Sequence, residues 1–206
     1  MRAHLARVAG VVLAAGSSVR FGRNKLLLEL GGEALVRRAA RTAADAGLDP
    51  VIVVIGHEAE QVRAALAGLA VTVVVNRDHA GGAGTSLRAG VRSAAEASAE
   101  ALVLTLADMP LVTDRMILSL LRRAAETSAD LVVSRYGAIQ APPTLFGRAL
   151  FHELLGTADE GAAKSVVGRH LDKAESLVWP EGALQDVDVA SDFLALSSRL
   201  ATPESG

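Results

Sequence analysis

Two cations stand just past the end of an apolar run. Val11-Val12-Leu13 gives way to Ala14-Ala15-Gly16-Ser17-Ser18, and Arg20 and Lys25 follow with Arg23 between them. Small residues let bare backbone approach phosphate oxygens closely. Arg20 and Lys25 supply the positive charge that a polyphosphate requires. The pattern reads as a buried strand opening into a loop that holds a nucleoside triphosphate. Two other features follow apolar runs in the same way: the cluster Gly81-Gly82-Ala83-Gly84 comes after Val71–Val75, and Asp108 comes after Ala101–Leu106. A helix capped by Thr85 or Ser86 would place unpaired N–H groups and a positive dipole end beside that glycine cluster.

The elements that must position these residues alternate in type. Strands are predicted at Val8–Leu13, Val51–Ile55, Val71–Val75, Ala101–Leu106 and Leu131–Ser134. Helices are predicted at Glu33–Ala46, Ala59–Leu66, from Thr85 or Ser86 through Ala95, and at Thr113–Glu126 capped by Thr113. Such alternation implies right-handed crossovers and a mostly parallel sheet. The last third is less regular. Pro142-Pro143 interrupts an extended segment ending at Phe146, short helices are expected near Gly147–Leu155 and Gly161–His170, Val187-Asp188 reads as a strand end, and Ser191 as the cap of a final helix. The expected fold is one α/β domain, a Rossmann-like three-layer sandwich over residues 1–200, with 201–206 a disordered tail. In such a sheet ligands bind at the carboxyl ends of the strands. That edge gathers the loop after Leu13, the glycine cluster and Asp108.

Composition narrows the function. The chain has 206 residues, half of them hydrophobic but only 3% aromatic, and a formal net charge of −2. The core must be built from Ala, Val and Leu. Few aromatic platforms and no basic excess argue against nucleic acid as a partner. The absence of cysteine excludes disulfides, zinc thiolate sites and thiol catalysis, and suits a cytoplasmic location. Arg2 and Arg7 before Val8–Ala15 superficially resemble a signal peptide. That apolar run is short and leads straight into the polar loop, and nothing approaches the ~20 residues of a membrane span. The five histidines show no metal-ligand spacing.

Neither of two better-known phosphate loops fits. A P-loop needs G-x-x-x-x-G-K-[ST], whereas Leu26 follows Lys25 here and Gly16 and Gly22 are misspaced. A dinucleotide fingerprint needs an acidic residue ending the second strand, and here that strand ends Ile55-Gly56-His57. The loop instead resembles the signature of the molybdenum-cofactor nucleotidyltransferase family (MobA/MocA-like), L-A-[AG]-G-x-S-x-R-[MF]-G-x-x-K. Leu13, Ala14, Gly16, Ser18, Arg20, Phe21, Gly22 and Lys25 meet every fixed position. Asn76 through Gly90 is similar to the family segment N-x-x-[WYH]-x-x-G-x-x-[ST]-S-L-x-x-G. Leu104 through Pro110 resembles L-x-x-x-D-x-P, and Leu184 through Asp192 resembles the D-[IV]-D-T-P-E-D tail.

The resemblance implies a nucleotide-diphospho-sugar transferase type of fold and a nucleotidyl transfer. A terminal phosphate of the acceptor attacks the α-phosphorus of the nucleoside triphosphate, and pyrophosphate leaves. It implies Arg20, Lys25 and Asp108 as catalytic residues, with Arg20 and Lys25 holding the triphosphate. Leu13, Ala14, Ala15 and Gly16 would line the base with backbone groups, the segment carrying Asn76, Gly84, Thr85 and Ser86 would lie by the base and ribose, and Lys25 counts among the nucleotide-binding residues. Mg²⁺ would lie between Asp108 and Asp188, which must therefore converge. Ala at position 15 goes with cytidine nucleotides, so CTP is expected over GTP, with molybdopterin as the acceptor. The chain departs from the family at Val189-Ala190, where Thr-Pro is usual. It departs again at Tyr136 through Pro143, which lacks the second Gly and the His or Asn of G-x-x-G-[HN]-P. That segment meets the acceptor in the family. Transfer to a sugar phosphate or methylerythritol phosphate is one alternative. A non-catalytic molybdenum-cofactor carrier or chaperone, docking on a molybdoenzyme client, is another.

Overall fold

The computed structural model describes residues 7–16, 24–156, 161–187 and 190–201. The first described element is β1 (Val8–Ala14). A small hairpin follows, β2 (Glu29–Leu30) paired with β3 (Glu33–Ala34). Its turn is Gly31-Gly32, with φ of 64° and 80°, which only glycine adopts without strain. Helix α1 (Leu35–Asp45) therefore begins later than the predicted Glu33, because Glu33 and Ala34 are committed to the hairpin. Gly47 stops α1 as expected, its φ of 77° letting its N–H reach the Ala44 carbonyl at 2.8 Å.

Next come β4 (Val51–Ile55), α2 (Ala59–Ala65), β5 (Thr72–Val75), α3 (Ala83–Glu96), β6 (Ala101–Leu106) and α4 (Asp114–Thr127). Thr113 caps α4 by accepting the Met116 N–H at 3.3 Å. The remainder is β7 (Leu131–Tyr136), β8 (Ile139–Gly147), α5 (Phe151–Gly156), α6 (Ala162–His170), β9 (Glu175–Trp179) and α7 (Ala190–Ala201).

The main sheet has seven strands in the order β5-β4-β1-β6-β8-β7-β9. Only β8 runs antiparallel to its neighbours. Alternate residues of each strand face opposite layers. Val51, Val53 and Ile55 of β4 join Val36, Ala40, Val62, Ile117 and Leu120 from α1, α2 and α4. Ile52 and Val54 join Leu87, Val91, Leu154 and Val166 from α3, α5 and α6 on the other side. Covering both faces explains why β4 is buried throughout and reads as an unbroken apolar run. The result is the three-layer α/β sandwich expected. Among the described residues no helix is long and apolar enough to cross a membrane.

The small-residue core permits close approach. A Cβ on Gly90 of α3 would collide with Cγ1 of Val11, a fully buried residue of β1. Overpacking of about 1–3 kcal/mol outweighs the ~1 kcal/mol that alanine gains in helix propensity. Gly90→Ala should therefore lower the denaturation midpoint, as measured by urea titration.

Several expectations need correction. The glycine-cluster helix starts at Ala83 with Gly82 as its N-cap, at φ 97°, and no side chain caps it. Thr85 and Ser86 lie inside its first turn. Strand β7 continues past Ser134 to Tyr136 and turns at Gly137 into β8, forming a hairpin. Pro142 and Pro143 lie within β8, tolerated at a register shift opposite Val133 and Ser134. There the Ser134 hydroxyl donates to the Pro143 carbonyl at 2.7 Å, and the Tyr136 hydroxyl to the Pro142 carbonyl at 2.9 Å. Strand β9 was not expected. Its outward Ser176 and Val178 alternate with half-buried Glu175, Leu177 and Trp179, the pattern of an edge strand. Val187 is not part of a strand, Asp188 lies outside the described residues, and Ala201 still belongs to α7 while 202–206 lie outside.

Candidate active site

The carboxyl ends of β1, β4, β5 and β6 form one edge of the sheet, and a cleft of about 220 Å³ opens there. Leu13, Ala14, Ala15 and Gly16 line it from β1, Leu106 and Asp108 from β6, and Lys25 from the loop side. Gly82, Ala83 and Ser86 contribute the start of α3. The backbone explains how Asp108 arrives. Ala107 extends the β1–β6 ladder by donating its N–H to the Leu13 carbonyl at 3.1 Å. The chain then turns, with Met109 N–H on the Leu106 carbonyl and Arg38 of α1 holding the Pro110 carbonyl at 3.1 Å.

Lys25 begins a short 3-10 turn, Lys25–Leu27, capped by Asn24, whose Oδ1 accepts the Leu26 N–H at 3.1 Å. The cap aims Lys25 across the cleft. Its Nζ stands 2.7 Å from Oδ2 of Asp108, with the two side chains only 13% and 23% exposed. A cation and a carboxylate are thus held together in a part-buried, low-dielectric position where charge acts strongly.

The floor beside α3 is tied by one side chain. Asn76, buried at the end of β5, donates through Nδ2 to Thr85 Oγ1 at 2.8 Å and Ser86 Oγ at 2.9 Å, and its Oδ1 accepts the Asp78 N–H. Thr85 in turn donates to the Asp78 and Gly82 carbonyls. Asn76, Gly84 and Thr85 therefore stand behind the cleft wall, while Ser86 faces the cleft. Arg20 and Asp188 lie outside the described residues. Val187, which precedes Asp188, is fully buried and donates its N–H to the Asp108 carbonyl at 3.0 Å.

The sequence reading missed His79, Gly56 and Asn24. His79 lines the cleft, whereas the sequence assigns it no role beyond the [WYH] position of a family segment. Its place in the Asn76–Gly90 segment was the available signal.

A second cleft of about 410 Å³ lies on the other side of β6. Leu104, Val133, Phe146 and Val167 form apolar walls, and Gln140, Thr144 and Lys164 are its polar groups. Tyr136 anchors the hairpin behind it. Burial, aided by nearby Asp186, pushes the Tyr136 phenol well above its usual pKa and keeps it a neutral donor.

The oxygen chemistry suits a hard divalent ion. Among the described residues no group of three His, Cys, Asp or Glu side chains could hold a metal. Asp108 is the one carboxylate they present to the first cleft. Mg²⁺ commonly takes one or two carboxylates and fills its other positions with phosphate oxygens and water.

The profile of the MobA-like NTP transferase domain matches residues 10–174. The chain belongs to this family. Purine catabolism protein PucB of Bacillus subtilis is 32% identical to the MobA-like chain over 197 residues, covering 89% of this chain and 93% of PucB. A probable molybdenum cofactor guanylyltransferase of Opitutus terrae is 35% identical over 133 residues, 65% of this chain and 63% of that protein. Rv0371c of Mycobacterium tuberculosis superposes with a TM-score of 0.83 at 28% identity, covering 94% of this chain and 99% of that one. A manganese complex of Rv0371c matches with a TM-score of 0.75 at 29% identity, over 93% and 98% of the two chains. Family membership makes this MobA-like protein a nucleotidyltransferase, and its fold is that of the nucleotide-diphospho-sugar transferases.

Proposed function

We propose that this MobA-like protein transfers CMP from CTP to a phosphorylated acceptor, molybdopterin first among the candidates, with Mg²⁺ as the metal. The observation that carries this reading is the Lys25–Asp108 pair, held at 2.7 Å across a cleft at the carboxyl edge of the sheet. A protein nucleophile is not required. Catalysis here is positioning plus charge neutralisation.

In this reading Leu13 through Gly16 and Ser86 hold the nucleoside end. Lys25 and Arg20 hold the triphosphate. An oxygen of the acceptor phosphate attacks the α-phosphorus, the bond to the bridging oxygen breaks, and the electron pair leaves with pyrophosphate. Lys25 stabilises the negative charge that builds on that leaving group. Bound Mg²⁺ supplies Lewis-acid charge at the reacting phosphate, and Asp108 and Asp188 are the carboxylates assigned to it. The Val187 N–H bond to the Asp108 carbonyl supports Asp188 as the second ligand, since it brings the preceding residue to Asp108.

CTP is favoured because Ala15 adds a buried methyl to the cleft wall, where glycine would leave more room. One methyl decides about 1–3 kcal/mol of discrimination. The acceptor is assigned to the second cleft, since both clefts share β6. Its apolar walls suit a flat ring system better than a polyhydroxylated sugar, which would leave hydroxyls unpaired. Transfer to another phosphorylated acceptor remains the second reading, because Ala141 and Pro142 stand where the family pattern has Gly and His or Asn.

Pyrophosphate release should be assayed with CTP, GTP, UTP and ATP against molybdopterin, a hexose 1-phosphate and methylerythritol phosphate. The proposal expects release that needs Mg²⁺ and is fastest with CTP and molybdopterin. Turnover confined to a sugar phosphate would replace the acceptor assignment. Tight molybdopterin binding with no release would favour the carrier alternative.

A further inference from the structure

The nucleotide cleft has a single aromatic ring among its described lining residues, and the scheme above gives it no task. That ring is His79, in the 3-10 turn His79–Gly81 that follows β5. It is braced from several sides. Asp78, its neighbour, gives its N–H to Asn76 Oδ1 at 3.0 Å and takes the Thr85 hydroxyl on its carbonyl at 2.9 Å. The His57 ring stands edge-on to it, with centroids 6.3 Å apart.

Beneath it lies Gly56, the first residue after β4. A Cβ on Gly56 would stand 2.6 Å from Cβ of His79, 2.7 Å from its Cγ and 3.0 Å from Cβ of Ala15. The imidazole and the Ala15 methyl thus rest side by side on one stretch of bare backbone. This contact requires glycine, because even a methyl would displace the ring and crowd the Ala15 methyl.

The sheet order places this pair relative to the charges. Gly56 follows β4 and Asp108 follows β6, with β1 between them. Two strand spacings amount to about 10 Å, a distance on the scale of one nucleoside. His79 therefore stands at the end of the cleft away from the Lys25–Asp108 pair. An aromatic ring there offers a face against which a base can pack.

We infer that His79, seated on Gly56, is the wall of the base site and, with the Ala15 methyl, sets which nucleobases fit. A pyrimidine fits between the ring and β1, and a purine meets the ring. This inference rests on the reading of the cleft as a nucleoside triphosphate site. His79 is a specificity determinant and takes no part in moving protons or charge.

The test is calorimetric titration of Mg²⁺ with CTP, UTP, GTP and ATP into wild type, His79→Ala, His79→Phe and Gly56→Ala, each checked for folding by circular dichroism. His79→Ala should raise the purine-to-pyrimidine affinity ratio about tenfold or more. His79→Phe keeps a ring and should hold the ratio near that of wild type. Gly56→Ala, by displacing the ring, should shift the ratio in the same direction as His79→Ala. A purely structural role would weaken all four nucleotides alike and leave the ratio unmoved. A folded His79→Ala with an unchanged ratio overturns the inference while the nucleotide reading stands. Wild-type protein that binds none of the four overturns that reading and this inference with it.

Discussion

Lys25→Ala should lower turnover by roughly 10²-fold or more, the usual cost of removing a group that stabilises transition-state charge. The loss should fall on kcat more than on KM, because charge builds on the departing pyrophosphate only as the reaction proceeds. Lys25 reaches the site from a turn capped by Asn24, and its Nζ is 2.7 Å from Asp108. Among the described lining residues of that cleft, Lys25 is the one lysine or arginine. Lys25→Met keeps much of the aliphatic stem without the charge and should match the alanine variant, separating electrostatics from packing. Initial rates of pyrophosphate release at saturating CTP provide the check. Activity within about threefold of wild type would remove Lys25 from the chemistry, since effects of this class reach 10²-fold.

Asp108→Asn should be as damaging, for a different reason. The amide keeps the size and the turn but removes the charge that holds a divalent cation. Turnover should fall about 10²-fold or more, and added Mg²⁺ should not restore it. Lys25 would also lose its 2.7 Å contact with the Asp108 carboxylate. Rates of pyrophosphate release read across a Mg²⁺ titration are the check.

Much of this arrangement was legible from the sequence because its signals are local. Val8 through Leu13 and Val51 through Ile55 are too apolar to be anything but covered strands. Gly47 and Thr113 end and begin helices through their own backbone or side-chain chemistry. Asp108 and Lys25 were assignable to one edge because parallel strands bring their carboxyl ends together. Other features depend on partners distant in the sequence. Thr85 and Ser86 look like caps in isolation, but Asn76 claims both of them, so the helix starts earlier at Ala83. The β7–β8 hairpin hid its extent behind Pro142-Pro143, which a strand accepts only where Ser134 and Tyr136 take up the proline carbonyls. Strand β9 carries an exposed Val178 at the sheet edge, so its composition alone did not mark it as part of a core. His79 acquires its place only through contact with Gly56 and Ala15, which come from other strands.

The central claim is that Asp108 and Lys25 form one site for a metal-bound nucleoside triphosphate. Its most direct test is titration of CTP into wild type and Asp108→Asn, each with and without Mg²⁺. The account predicts that Mg²⁺ strengthens CTP binding to wild type and leaves binding to Asp108→Asn unimproved. Equal Mg²⁺ dependence in the two proteins would contradict it.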